Sequence, residues 1–254
     1  MDMVTLTRLD CAVASSALMR AGLAEAVHHT RHRQVFGRPL FAQPLMQRVL
    51  ADMALEVAAA GALSLRLARA FDEAASSRSE AAFARVMTPV VKYWVCKTAP
   101  ALLYEAMECL GGNGYVEEAP VARYYREAPV NAIWEGSGNV MALDVLRVLA
   151  RGRGLFDEVL AGLEGDLGAA GPGTVGVLRA AIQVAASDEG SARILTEQLA
   201  LAAAAAELKR LGAGRIADAF IDTRLGGQWR GTYGMLDARH DARLILETLY
   251  PEAG

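Results

Sequence analysis

Three long stretches, residues 4–35, 44–71 and 80–109, carry apolar side chains at three- and four-residue spacing, and each ends in glycine, proline or a polar run. In the first, Leu6, Leu9, Val13, Ala17, Ala21 and Ala24 recur on one helical face. Phe36-Gly37-Arg38-Pro39 stops it. The second holds Leu45, Val49, Leu50, Met53, Val57, Leu63, Leu65 and Leu67, and the serine-rich run 72–80 closes it. The third contains Pro89 and Pro100, which remove single backbone bonds or bend a helix because proline has no N–H. Gly111-Gly112-Asn113-Gly114 ends it. A short helix is expected over Val121 to Glu127 within an otherwise irregular 115–136, and a fourth main helix over Gly138 to Arg151. No alternating pattern outcompetes a helix anywhere. The chain is therefore expected to be all-α, an up-down bundle.

Gly152 to Gly154 marks a boundary between residues 1–152 and a helical extension, 153–254. Helices are expected there near 155–163, 175–187, 190–212, 213–225 and 235–249, with a turn or short linker across the glycine-rich 165–176.

Bulk properties narrow the function classes. Hydrophobic residues make up 53% of the chain and mean hydropathy is +0.21, yet no apolar run reaches the ~18 residues of a membrane span. The surplus apolar surface is expected to meet another protein surface. No signal peptide is recognisable at the start, and Cys11, Cys96 and Cys109 form neither a metal-ligand spacing nor a disulfide framework, so a cytoplasmic protein with reduced core thiols is expected. The formal charge of −3 exerts no pull toward nucleic acid, and all of it falls in residues 151–254.

Chemistry can reside in few places. Glu135 lies between the apolar pair Ile133-Trp134 and the flexible Gly136-Ser137-Gly138, just before a helix that Ser137 is placed to cap. Desolvation by that pair would raise its pKa and suit it to take protons near neutral pH. Spacing alone favours an ordinary acidic residue in a helix-entry loop. Arg31-His32-Arg33 complements a helix C-terminus and could equally clamp a phosphate. The Gly111-Gly112 turn permits close backbone approach to a ligand, or simply terminates a helix. His28 and His32, four apart, read as solvated histidines rather than metal ligands, and Tyr93 and Trp94 as packing residues.

Three motifs nevertheless occur in one order: Arg33-x-x-Phe36-Gly37, Gly111-Gly112-Asn113-Gly114-Tyr115 and Ile133-Trp134-Glu135-Gly136-Ser137. Over residues 4–151 the chain resembles the C-terminal helical domain of the acyl-CoA dehydrogenases. The wording from Tyr125 to Asn139 is closer still to the AidB-like branch, linked to the response to DNA alkylation, and the extension resembles that branch too. The resemblance implies FAD bound across a subunit interface in a homo-oligomer. Arg33 and Phe36 match contacts to a neighbour's FAD, Gly111 and Gly112 the turn against its pyrophosphate and adenosine portion, and Ser137 and Asn139 further flavin contacts. Glu135 matches the base that removes the α-proton of an acyl-CoA. Gln43 stands one residue earlier than the family's usual glutamine. Glu108 replaces a glutamine, placing an anion near the pyrophosphate, and Trp134 replaces a tyrosine. The resemblance implies that the family's N-terminal helical and middle β domains are not represented in these residues, so the chain by itself is expected to be inactive with Glu135 open to water. Two other roles follow: a DNA-associated module, for which Lys209, Arg210 and Arg215 form the one basic cluster, and a structural oligomerisation module.

Overall fold

The computed structural model describes residues 3–226 and 240–251. Its long helices are α1 (Met3–His32), α2 (Pro44–Glu73) and α3 (Arg78–Leu110). Ser77 caps α3 by accepting a hydrogen bond from the Glu80 N–H, and Gly111, at φ +60°, ends it. Neither Pro89 nor Pro100 interrupts α3, because each costs one backbone bond in a helix held by burial along most of its length. Pro44 sits in the first turn of α2, where the missing N–H has no intrahelical partner in any case.

The bundle is completed by α5 (Val121–Ile133) and α6 (Gly138–Arg151), reached through a single helical turn, α4 (Gly112–Tyr115). Both run antiparallel to α3. Tyr125 lies beside Tyr104, Trp134 beside Lys92 and Asp144 beside Arg85, so positions ascending on one side meet positions descending on the other. By contrast α1 and α3 are parallel and close, and a Cβ at Gly22 would collide with Leu103. The turn between α5 and α6, which carries Glu135, is thus pressed against the middle of α3.

Among the described residues five further helices follow: α7 (Arg153–Leu167), α8 (Gly171–Ser187), α9 (Ala192–Arg210), α10 (Gly214–Phe220) and α11 (Ala242–Leu249). A π-helical turn, Ile221–Leu225, continues α10. Ala202 to Ala206 of α9 are all buried, and their small side chains let α9 lie close against α2, α3, α6, α7 and α8. α11 packs on α2. Trp94 of α3 meets Phe220 of α10 edge to face at 6.3 Å. Both parts of the chain therefore contribute to one continuous apolar core.

The all-helical expectation holds, with local differences. The first helix stops at His32 rather than 35. Gln34–Val35 and Arg38–Pro39 form a two-residue antiparallel hairpin around Phe36 and Gly37, both at positive φ. Residues 112–133 are mostly helical, because Pro129 is accommodated inside α5. The glycine-rich 165–176 is no linker. Gly165 lies in the last turn of α7, which Gly168 ends at φ +57°, and Gly171, Gly173 and Gly176 lie in α8, with only a 3-10 turn at Gly168–Ala170 between the two helices. The helix expected over 235–249 begins at Ala242 among the described residues, and 235–239 lie outside them. All three cysteines are buried and free. Burial pushes the Cys96 thiol up to about 11 and the Cys109 thiol to about 12, so neither is an ionised nucleophile at neutral pH. No helix of the described residues is long and apolar enough to cross a membrane.

A buried ion cluster fixes the extension to the bundle. Arg224, from the π-turn, reaches Asp52 at 2.6 Å and Glu56 at 2.9 Å on α2, with all three side chains largely out of solvent. Burial raises the Glu56 pKa, opposed chiefly by the Arg224 charge. Arg224→Met leaves Glu56 buried without its guanidinium, and a stability loss of about 3–5 kcal/mol is expected at pH 8. The carboxyl binds its proton more tightly in the folded than in the unfolded chain. Its contribution therefore worsens as pH rises from the ordinary carboxylate value through the raised one, and further in the variant. Urea unfolding midpoints should show the defect shrinking between pH 8 and pH 5, and an equal defect at both values would contradict this account.

Candidate functional site

Glu135 occupies a strained turn. It has φ +57°, a conformation that costs a residue with a Cβ, and Gly136 follows at φ +112°. At Gly136 the φ itself favours glycine, and a Cβ would also press on the Met141 and Val140 side chains. The cost is offset by an arrangement of cations around the backbone. Lys92 Nζ, on a buried side chain of α3, donates to the Trp134 carbonyl at 2.9 Å and the Gly136 carbonyl at 2.5 Å. Arg8 Nε of α1 donates to the Glu135 carbonyl at 3.1 Å. Arg8 is held in turn by Asp144 of α6 at 2.8 Å, which also pairs with Arg85 at 3.3 Å.

The side chain of Glu135 is half-buried, and among the described residues no ion pair engages it. The apolar cover expected from its neighbours is thin. Ile133 is 66% exposed and Trp134 42%, the latter with its indole N–H donated to Asn131 Oδ1 at 3.3 Å. Ser137 does occupy the N-cap position of α6, but its hydroxyl makes no capping bond, contrary to expectation. The first N–H groups of α6 therefore lack a side-chain acceptor from it. Asn139 Oδ1 accepts from Arg193 Nε of α9 at 2.8 Å, which ties the extension to the same helix entrance.

The second group of residues gathers at the other end of α1. A cavity of about 510 Å³ is lined by His28, His29, His32, Arg33, Leu110 and Asn113 together with the carboxylates Glu25 and Glu118. It lies between the end of α1 and the residues Leu110 and Asn113 that flank the Gly111-Gly112 turn. Among the described residues the Arg33 guanidinium has no hydrogen-bond partner, so it is available to an anion. Gly111 and Gly112 face open space where a Cβ would project, leaving their backbone approachable. Phe36, at the hairpin tip, is 98% exposed with φ +49°. His29 is held below the usual imidazole value by burial and then by the Arg33 charge. His32 Nδ1 donates to the His28 carbonyl at 2.8 Å, and no metal-binding cluster exists among the described residues.

Some expected participants are occupied elsewhere. Gln43 donates to the Val35 carbonyl at 3.2 Å and accepts from Arg38 at 2.8 Å, so both ends of its amide brace the hairpin. Glu108 is hydrogen-bonded by the neutral Tyr104, whose pKa that bond raises, and so its charge is not cancelled. The basic cluster of the extension is largely neutralised, with Lys209 on Asp218 and Arg210 on Glu207, both at 2.5 Å. This offers no support for DNA contact.

The two groups lie far apart within one chain. Arg8 touches the Glu135 backbone, and Arg33, 25 positions on, directly follows the end of α1, roughly 37 Å away at 1.5 Å per residue. A single extended dinucleotide does not reach from one to the other. Lys92, Arg8 and Asp144 were not singled out from the sequence. Lys92 and Asp144 did leave a signal, each being a charge within an apolar helical run, Val90 to Val95 and Val140 to Leu149.

A sequence profile of the acyl-CoA dehydrogenase C-terminal domain matches residues 1–150. The putative acyl-CoA dehydrogenase AidB of Escherichia coli is 52% identical over 152 residues, which is 60% of this chain and 28% of that protein. Acyl-CoA dehydrogenase family member 11 of Caenorhabditis elegans is 37% identical over 152 residues, 59% of this chain and 25% of its own length. The crystal structure of Caenorhabditis elegans ACDH-11 in complex with C11-CoA superposes with a TM-score of 0.82 at 25% identity, covering 98% of this chain and 47% of that one. The chain thus spans between a quarter and half of the length of these relatives, and with its family motifs and helical bundle it belongs to the acyl-CoA dehydrogenase family.

Proposed function

We propose that this chain is the C-terminal portion of an FAD-dependent acyl-CoA dehydrogenase, divided into a bundle at 1–152 and an extension at 153–254, and that Glu135 is its catalytic base. The observation that carries the reading is the pinned, left-handed turn, in which cations bond the backbone of residues 134–136 while among the described residues no ion pair engages the Glu135 carboxylate. A strained residue at a helix joint, with its backbone gripped and its carboxylate unpaired, suits a group that must accept a proton. Oxidation of an acyl-CoA thioester forms a Cα=Cβ bond by loss of a proton from Cα and a hydride from Cβ. The Glu135 carboxylate takes the proton. FAD, when bound, polarises the thioester and accepts the hydride.

The residues present fit an extended dinucleotide only if two chains share it. Arg33 supplies a bidentate donor for phosphate, the open Gly111-Gly112 backbone allows close approach, and Phe36 projects from the hairpin toward a second surface. Ser137 and Asn139 would meet the cofactor at the Glu135 end. Because those groups are separated by the length of α1, the reading requires a homo-oligomer in which Arg33 and Phe36 of one chain face the Glu135 region of another. Leu45 and Leu65, 82% and 70% exposed, add apolar surface to such an assembly, so an oligomerisation role accompanies the catalytic one. Gln43 enters as a brace of the hairpin rather than as a direct contact. The isolated chain is expected to lack turnover, since it spans 28% of its AidB relative.

FAD titration of the chain, alone and with the N-terminal portion of an AidB-like relative supplied, tests the proposal. Flavin absorbance retained only in the second case is expected. Glu135→Gln should then lower acyl-CoA dehydrogenation by about 10²–10⁴-fold with FAD still bound, and full activity would sink the base assignment. Arg33→Ala should weaken FAD binding about tenfold or more, in line with a charge-assisted bond of ~1.5–3 kcal/mol. An unchanged FAD affinity would remove the clamp.

A further inference from the structure

We propose that Lys92 is a positioning residue, which together with Arg8 holds Glu135 in its left-handed turn by gripping three successive backbone carbonyls. The proposal rests on the reading of Glu135 as the base. Trp134, Glu135 and Gly136 cannot pass their carbonyls on to a following helical turn, because the chain leaves α5 there and re-enters a helix only at Gly138. All three carbonyls accept from a cationic side chain, two from Lys92 and one from Arg8. Two of the three residues have positive φ.

The distribution of charge distinguishes this from an ordinary ion pair. Arg8 sends its charge to Asp144, which Arg85 also faces. Lys92 spends its donors on neutral carbonyls. Both cations thus bear on the backbone of Glu135, while its carboxylate carries no salt bridge among the described residues. A base paired directly with a cation would be a poorer proton acceptor. Burial holds the Lys92 amine below the usual lysine value, outweighing the smaller opposing influence of the Glu135 charge, with which it makes no ion pair. Lys92 is a positioning residue only and makes no contact with the reacting atoms.

The test compares glycine with alanine at position 135 in the full 254-residue chain. Where the turn is left-handed, glycine is preferred over alanine because only the latter has a Cβ. With Lys92 present, the Glu135→Gly chain should melt about 2–4 °C above the Glu135→Ala chain. In a Lys92→Met background the turn is released and that advantage should vanish. An advantage of the same size in both backgrounds overturns the proposal, since a Lys92 that merely stabilised the fold would shift all melting points alike. Should Lys92→Met give no folded protein, Lys92→Arg and Arg8→Gln carry the comparison. The advantage is then expected to persist in the first and fall in the second, and an undiminished advantage in the second overturns the proposal. In the complemented, flavin-loaded protein, Lys92→Met should lower kcat on the order of 100-fold at constant KM, with partial recovery in Lys92→Arg. A raised KM at constant kcat counts against it. If Glu135→Gln proves fully active, the base assignment fails, while the glycine–alanine comparison still decides the turn.

Discussion

Helix α3 is the element on which the other parts depend. Thirty-three residues long, it is buried along one continuous stretch from Val86 to Cys96 and on one face from there to Leu110. A helix apolar all round has to be enclosed, and α1, α2, α5, α6, α7 and α9 do so. This enclosure permits two proline residues inside it and places a lysine at its centre. The Glu135 turn is pressed against Lys92, while the Gly111 turn stands where α3 ends. The two groups of candidate site residues are held at a fixed separation because one rigid helix connects them.

Two buried cations serve opposite ends. Arg224 is surrounded by carboxylates and joins the extension to α2, so its loss exposes a buried anion and becomes pH-dependent through Glu56. Lys92 is surrounded by carbonyl dipoles and shapes a backbone turn. A carboxylate partner at Lys92 would add a charge beside Glu135, and carbonyl partners do not. In each case the cost of burying a charge is met by several hydrogen bonds rather than by one contact.

The long helices were legible because their apolar spacing is strict and their ends carry glycine, proline or a serine cap. The glycine-rich 165–176, expected to be a turn or short linker, holds a turn only at 168–170 and is otherwise helical. Glycine weakens a helix by less than ~1 kcal/mol per residue, and packing against α7 and α9 exceeds that in α8. The hairpin at 34–39 left almost no pattern, because two-residue strands have no measurable alternation. Of the site, Glu135, Arg33 and Gly111 stood out as motifs. Lys92 was visible only as a charge in an apolar run, and Arg8 not at all, since its role is set by residues 127 positions away.

Sequence by itself determined the helical class and the order of the three motifs, and marked Glu135 as the candidate carboxylate, because these depend on local spacing and residue chemistry. Only the tertiary structure decided that Glu135 sits at positive φ with three gripped carbonyls. It also decided that Gln43 and Asn139 are already bonded within the chain, and that Arg33 stands at the far end of α1 from the carboxylate it was grouped with. The physical reason is that hydrogen-bond partners and distances between helices arise from packing, in which residues far apart in sequence compete for the same donors and the same space.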